Sequence, residues 1–455
     1  MIRRLLVCAV ALALGGCMVG PDYHRPDLGV PGEYSGAGPA SGTIRVPEQW
    51  WTLYGDPVLD DLVKSGLERN ADVKLAAARV EEAEAVVAQA HAAFFPLVQG
   101  EAGAMRSRTL QYGTASLFSL GLSTTFELDV WGKLRRAERS VRDDLLASQY
   151  GRDTVALTLA ATIARSYFAL LSLDTQYAAA DENLRAANDS YQLTQRLLAG
   201  GVGSALDVYQ AGALVSAGAA LLKEIARQRA AMQHQLGVLT GRLDITVPVK
   251  TLDSLPVPPL PPAGLPSQLL ERRPDVRQAE EQLAAATERI GVARADQFPS
   301  LSLTGSLGLQ STQLDKLLSS DAKVWSIGGN LLGTVFDAGL YAARTKQAEA
   351  QAHQAEASYE SSVENAFRDV SDALSNLKAA ADTEKDLGER LRQAREALRL
   401  ANLRYRTGYS AYLEVLDATR TLNSAQLDYI RNRQNYLSYT VDLMNALGGG
   451  WKPAS

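Results

Sequence analysis

Residues 403–426 read LRYRTGYSAYLEVLDATRTLNSAQ, and the chain turns round inside them. A long helical pattern runs into this stretch and another leaves it, with Gly408 as the only break. Leu413, Asp417 and Arg420 stand at i, i+4 and i+7, so one face of the outgoing helix carries all three. A weaker copy, RLLAGGVGSALDVYQAGALVSA, occupies 196–217.

Working outward, the two turns belong to a longer duplication. Asn70-Ala71-Asp72-Val73 matches Arg273-Pro274-Asp275-Val276, and Ala93-Phe94-Phe95-Pro96-Leu97 matches Asp296-Gln297-Phe298-Pro299-Ser300, each 203 positions on. Glu127-Leu128-Asp129-Val130-Trp131-Gly132 pairs with Val335-Phe336-Asp337-Ala338-Gly339 at 208, and Leu206-Asp207-Val208 with Leu413-Glu414-Val415 at 207. Order and spacing hold together, at a period far too long for a solenoid. Each half therefore predicts the same series. A helix comes first, over 56–93 or 266–296. Phe-Pro stops it, and a region of strand character follows. Then comes a proline-free run of 67 residues, 133–199 or 341–407. A glycine turn and a return helix complete the half, the helix running through Leu239 or Leu447. As a straight helix each long run would reach roughly 100 Å, a coiled-coil length.

The expected organisation is a signal peptide over 1–16, a lipidated extended segment over 17–55 and a first repeat over 56–239. That repeat has a strand pair near 97–130 and a tip at 200–206. A Pro-rich linker over 240–265 leads to a second repeat, 266–447, with strands near 300–337 and a tip at 407–413. A tail, 448–455, ends the chain.

The strand regions alternate. Leu301, Leu303, Leu307 and Leu309 interleave with Ser302, Thr304, Ser306 and Gly308; Leu120, Leu122, Phe126 and Leu128 interleave with Gly121, Ser123, Thr125 and Glu127. Trp325, Ile327 and Leu331 do the same, and Val98, Ala102 and Ala104 more weakly. Four strands of about 10–13 residues with one apolar face suit a tilted membrane strand. A small sheet resting on a soluble core is the other reading. The N-terminal address and the expected lack of any helical membrane span favour the membrane. Four strands cannot close a barrel, and an open edge in lipid leaves backbone groups unpaired. Three chains would supply twelve strands around a wet lumen.

Composition narrows the class. The 455 residues carry a formal charge of −5, with 46% hydrophobic and 7% aromatic residues. Lys and Arg are scattered, so nucleic acid is not an expected partner. The two cysteines, Cys8 and Cys17, lie at the N-terminus, and the four histidines, His24, His91, His234 and His353, are far apart. No cofactor, metal site or catalytic triad is expected, and the chain does not read as an enzyme. Glu81-Glu82 and Asp143-Asp144 read as solvated helix faces. Met1 to Gly16 combines Arg3 and Arg4, an apolar LLVCAVALAL and Leu14-Gly15-Gly16 before Cys17. This fits a secretory signal and resembles a bacterial lipoprotein box, which implies cleavage before Cys17 and its acylation. Met18 at the following position leans toward the outer membrane.

Taken with Cys17-Met18-Val19-Gly20-Pro21-Asp22-Tyr23-His24-Arg25-Pro26, Trp50-Trp51, the doubled Phe-Pro and the Gly-Tyr-Ser…Leu-Glu-Val-Leu-Asp-Ala…Arg turn, the chain resembles the outer membrane factors of tripartite efflux. The resemblance covers nearly the whole mature chain. It implies an α+β membrane protein: a homotrimeric twelve-stranded outer-membrane β-barrel, four strands per chain, continued by a periplasmic α-helical barrel. It implies a periplasmic gate of Leu413, Asp417 and Arg420, and helix tethers at Tyr405 and Asp207. Docking of a periplasmic adaptor (membrane fusion protein) is expected at the tips, on Gly201, Gly203, Ser204, Gly408, Tyr409 and Ser410. Cys17 is the expected lipid anchor. The further implied partners are an inner-membrane resistance-nodulation-division pump and outer-membrane lipid. The first-half counterparts of the gate residues are Leu206, Gln210 and Ala213, so the charges are not duplicated. Without the resemblance, Asp417 and Arg420 equally describe an ordinary i,i+3 surface pair. An exit duct of type I protein secretion and a lipid-tethered periplasmic coiled-coil scaffold are the alternatives to a small-molecule efflux duct.

Overall fold

Strict alternation forces a sheet with unlike faces, and long proline-free runs rich in Ala, Leu, Glu and Arg force long helices. The structure is a computed structural model and describes residues 18–29, 31, 34, 46–110, 113–259 and 269–451. Cys17, the expected signal over 1–16, parts of the expected segment over 17–55 and of the linker, and half of the expected tail lie outside the described residues. Two compact units form. The first comprises Met1–Leu28, Ala78–Tyr150 and Arg277–Ser362; the second comprises Gly29–Ala77, Gly151–Val276 and Val363–Ser455. Neither unit is a sequence half, since each takes matching stretches from both.

The first unit contains β1 (Leu97–Thr109), β2 (Gly113–Leu128), β3 (Ser300–Ser311) and β4 (Lys323–Leu332). They make one antiparallel sheet in the order β1-β2-β3-β4. At 16 residues β2 exceeds the expected 10–13. Register gathers the apolar residues on one face: Leu120 lies opposite Leu309, Leu122 opposite Leu307 and Phe126 opposite Leu303. Leu307 in turn faces Trp325, and Ala102 faces Leu120. Leu120, Leu122, Leu307, Trp325 and Ile327 are exposed. The other face is polar, with Ser123 Oγ donating to Glu101 Oε1 at 3.0 Å and Ser306 and Ser326 sharing a hydrogen bond of 2.8 Å.

The same unit explains the motif at 20–26. Arg136, almost fully buried, donates to the carbonyls of Pro21 (2.9 Å) and Gly20 (3.2 Å) and to Glu288 Oε2 (2.9 Å). Tyr23 and Arg25 grip Glu280 at 3.2 and 2.6 Å. The backbone amide of Val19 bonds the carbonyl of Trp131 at 3.2 Å. The segment is thus strapped down at three places, two of them through charge-assisted bonds.

The single helix expected over 56–93 is two helices, α1 (Pro57–Arg69) and α2 (Ala71–Ala92). Asn70 separates them: its Oδ1 accepts from the amides of Asp72 (2.7 Å) and Val73 (3.4 Å) while its Nδ2 donates to Leu239 O. The helix expected over 266–296 breaks at the matching place, into α5 (Leu269–Arg272) and α6 (Pro274–Ala295). Pro274 excludes the α conformation at Arg273. In the second unit Asp56 caps α1 and is held, fully buried, by Tyr167 (2.9 Å) and Lys250 (2.8 Å).

The long runs form α3 (Lys133–Ala199) and α7 (Leu340–Arg406), each of 67 residues, the second starting one residue earlier than expected. The return helices are α4 (Ala205–Thr240) and α8 (Tyr412–Ala446). By length and composition α3 and α4 could each cross a membrane, against the expectation that no helix would. Runs such as ALTLAATIA and AGALVSAGAALL are the cause. A buried core helix passes the same test, and most of α3's apolar window is buried.

Candidate functional site

Both tips lie in the second unit and are built alike at first. Gly201 (φ +74°) and Gly408 (φ +80°) end α3 and α7 in the left-handed region, where a side chain is strained. The amide of Val202 bonds Leu197 O at 3.0 Å and that of Gly201 bonds Leu198 O at 3.0 Å; in the second tip Tyr409 bonds Arg404 O at 2.9 Å and Gly408 bonds Tyr405 O at 3.0 Å. These paired closures occupy the turn amides. Gly203 is also packed: a Cβ there would lie 2.7 Å from the amide nitrogen of Leu198. What the tips expose is apolar side chain, with Tyr209 at 78% and Tyr409 at 80% of full exposure.

The return helices start differently. Ser204 caps α4, its Oγ accepting from the amide of Leu206 at 3.1 Å. Ala411 stands at the equivalent place before α8 and offers no side-chain cap. The hydroxyl of Ser410, one residue earlier, is buried without a hydrogen-bond partner among the described residues.

Behind the tips, Ala211, Ala401, Tyr405, Tyr412 and Val415 form a buried cluster joining the two hairpins. Tyr405 donates to Asp207 Oδ2 at 3.2 Å, bringing together the two residues named as tethers. Burial, then the Asp207 carboxylate, pushes the Tyr405 hydroxyl up to about 12. Asp207 sits in the first turn of α4, where the helix dipole favours an acid. Tyr412, which sequence reasoning missed, packs its ring 5.3 Å from that of Tyr405 and accepts from Ser190 Oγ at 3.3 Å. Its only sequence signal was an aromatic at the first position of a predicted helix.

Leu413, Asp417 and Arg420 lie on one exposed face of α8. Leu413 is 61% exposed and its counterpart Leu206 62%. Asp417 and Arg420 do not pair with each other, so the i,i+3 reading fails, and neither has an ion-pair partner among the described residues. Beside the tip, Arg404 approaches Glu414 only to 3.6 Å, with both exposed.

One expectation away from the tips is overturned. Asp143 is not on a solvated face: burial, then Glu281, Glu288 and Asp144, push its carboxyl up to about 7. Asp144 is ion-paired to Arg289. The partners come from α6, some 145 positions away in sequence, so local reading could not find them.

Comparison with known proteins gives concordant results. The family described as "Outer membrane efflux protein" matches residues 62–242 and 265–449. The cation efflux system protein CusC of Escherichia coli is 34% identical over 465 residues, 99% of each chain. The probable efflux pump outer membrane protein TtgC of Pseudomonas putida is 34% identical over 470 residues, 99% of this chain and 96% of its own. The crystal structure of the open state of the Neisseria gonorrhoeae MtrE outer membrane channel superposes with a TM-score of 0.87 at 31% identity, covering 96% of this chain and 99% of MtrE.

Proposed function

Because the chain belongs to the outer membrane efflux protein family, and is an outer-membrane efflux channel with a periplasmic helical domain, we propose that it works as a homotrimer gated at the tips of its second hairpin. Three copies contribute four strands each to a twelve-stranded barrel. The observation that carries this is the sheet. Its apolar face is exposed, as lipid requires, but the outer edges of β1 and β4 are unpaired among the described residues, which lipid does not tolerate. Edge-to-edge closure between copies pairs those edges, the apolar face then meets lipid, and the polar face lines water.

The duct is passive and not an enzyme; an inner-membrane resistance-nodulation-division pump supplies the energy. A periplasmic adaptor docks on the tips through the exposed Val202, Leu206, Tyr209, Tyr409 and Leu413 rather than through free backbone. Docking shifts α8 between two packings and opens the ring of Asp417 carboxylates, which attracts cations when closed. Cys17 anchors the chain to outer-membrane lipid. The cargo is small toxic molecules, drugs among them, as delivered by the pump. Projection images of the purified full chain test the assembly. A three-fold ring with a stem is expected, and a monomeric or two-fold outline would exclude it.

A further inference from the structure

The sheet carries cations in a place that the duct function does not use. On the apolar face β2 presents Thr114, Ser116, Phe118, Leu120, Leu122, Thr124, Phe126 and Leu128, and β3 presents Leu301, Leu303, Gly305, Leu307, Leu309 and Ser311. Neither inner strand has a charge there. The edge strands do. Arg106 and Arg108 share that face on β1, opposite Ser116 and Thr114. Lys323 shares it on β4, opposite Leu309, with the exposed Trp325 next on the same face. All three cations are exposed, and none has an ion-pair partner among the described residues. They lie at the strand ends next to the connections 110–112 and 312–322, away from the ends that join α2, α3, α6 and α7.

None of the carboxylates of this region stands on this face of the strands. Asp315 and Asp321, with Lys316, belong to the connection over 312–322. Glu101 is on the polar face and is bonded to Ser123. A charge on a lipid-facing strand is costly near the bilayer centre and cheap only at the interface, where it reaches headgroups. Cations beside an interfacial tryptophan complement anionic headgroups and are drawn to them. Their restriction to β1 and β4 puts them where two copies meet.

We propose that each seam between copies forms a binding site for the phosphate groups of an outer-leaflet glycolipid. Arg106 and Arg108 of one copy and Lys323 of its neighbour hold the phosphates, and Trp325 packs beside the acyl–headgroup boundary. This rests on the twelve-stranded trimer proposed above. A lipid held this way bridges two copies and stabilises the assembly by mass action.

The test uses the purified full chain in detergent, with bound lipid read by native mass spectrometry and trimer survival by heat-dependent gel mobility. The probes are a diphosphorylated lipid A, the same lipid with its phosphates removed, phosphatidylglycerol and inorganic phosphate. The diphosphorylated lipid alone should be retained and should raise the temperature at which the trimer is lost. Replacing all three cations (R106Q, R108Q, K323Q) should weaken retention roughly a hundredfold. The lipid-free trimer should survive the replacement. R106K with R108K should keep most of the binding. If the triple variant does not assemble, K323Q alone carries the test and should weaken retention by about fivefold. Equal retention of phosphatidylglycerol, or full retention by the glutamine variants, would overturn the site. A lipid-free wild type that runs only as a monomer would instead overturn the trimer itself, and the seam with it.

Discussion

Two tips of one chain close with the same turn and then part company. At 200–206 the turn hands over to a helix locked by Ser204. At 407–413 the turn hands over to a helix with no side-chain cap, and the buried Ser410 hydroxyl has no hydrogen-bond partner among the described residues. The first return helix carries no charge at the positions matching Asp417 and Arg420; the second carries both, exposed and unpaired. The two turns match, yet only the first return helix is capped by a side chain and only the second carries these charges. A moving part needs a helix start whose opening costs little, and a missing N-cap lowers that cost by about 1 kcal/mol.

Several changes would break or sharpen this contrast. Deleting two residues within 407–410 should abolish efflux in cells while leaving the trimer intact on gels. The matching deletion within 200–203 should impair efflux less, and equal loss would erase the distinction. Asp143→Asn concerns the first unit and should act through pH. The folded-state carboxyl sits near 7 and the unfolded one near its ordinary value, so the folded chain holds the proton more tightly. That stabilisation is complete below the unfolded value and disappears as pH rises toward 7. The variant should therefore flatten the fall in thermal stability between about pH 4 and pH 7, with a gain on the order of 1–2 kcal/mol above pH 7. An unchanged pH profile would place Asp143 in water. The caps themselves should give the smallest effects. Ser204→Ala should cost about 1 kcal/mol in denaturant unfolding, and Ala411→Ser should gain somewhat less and slow channel opening. Stabilisation by Ala411→Ser without slower opening would separate capping from gating.

Much of this was legible in the residues. Alternation at 301–309 and 120–128 specified the sheet and its faces, because the side-chain period of a strand is two whatever surrounds it. Proline-free runs specified α3 and α7 to within one residue, and glycines marked both turns. What stayed hidden depended on contacts distant in sequence. The break at Asn70 was missed because its amide acts partly through Leu239. The Asp143 cluster needed α6 beside α3, and the role of the motif at 20–26 needed the buried Arg136. The cap at Ser204 was readable as a helix start, but its absence at Ala411 became meaningful only once the two turns proved to share one closure.

The central claim is that the second tip, and not the first, carries the gate. Single-channel recording in planar bilayers tests it most directly, comparing Asp417→Ala with Gln210→Ala in the full chain. The account predicts that Asp417→Ala raises conductance several-fold and lowers cation preference, while Gln210→Ala leaves both as in the wild type. Unchanged conductance and selectivity in Asp417→Ala, or the same change in both variants, would contradict it.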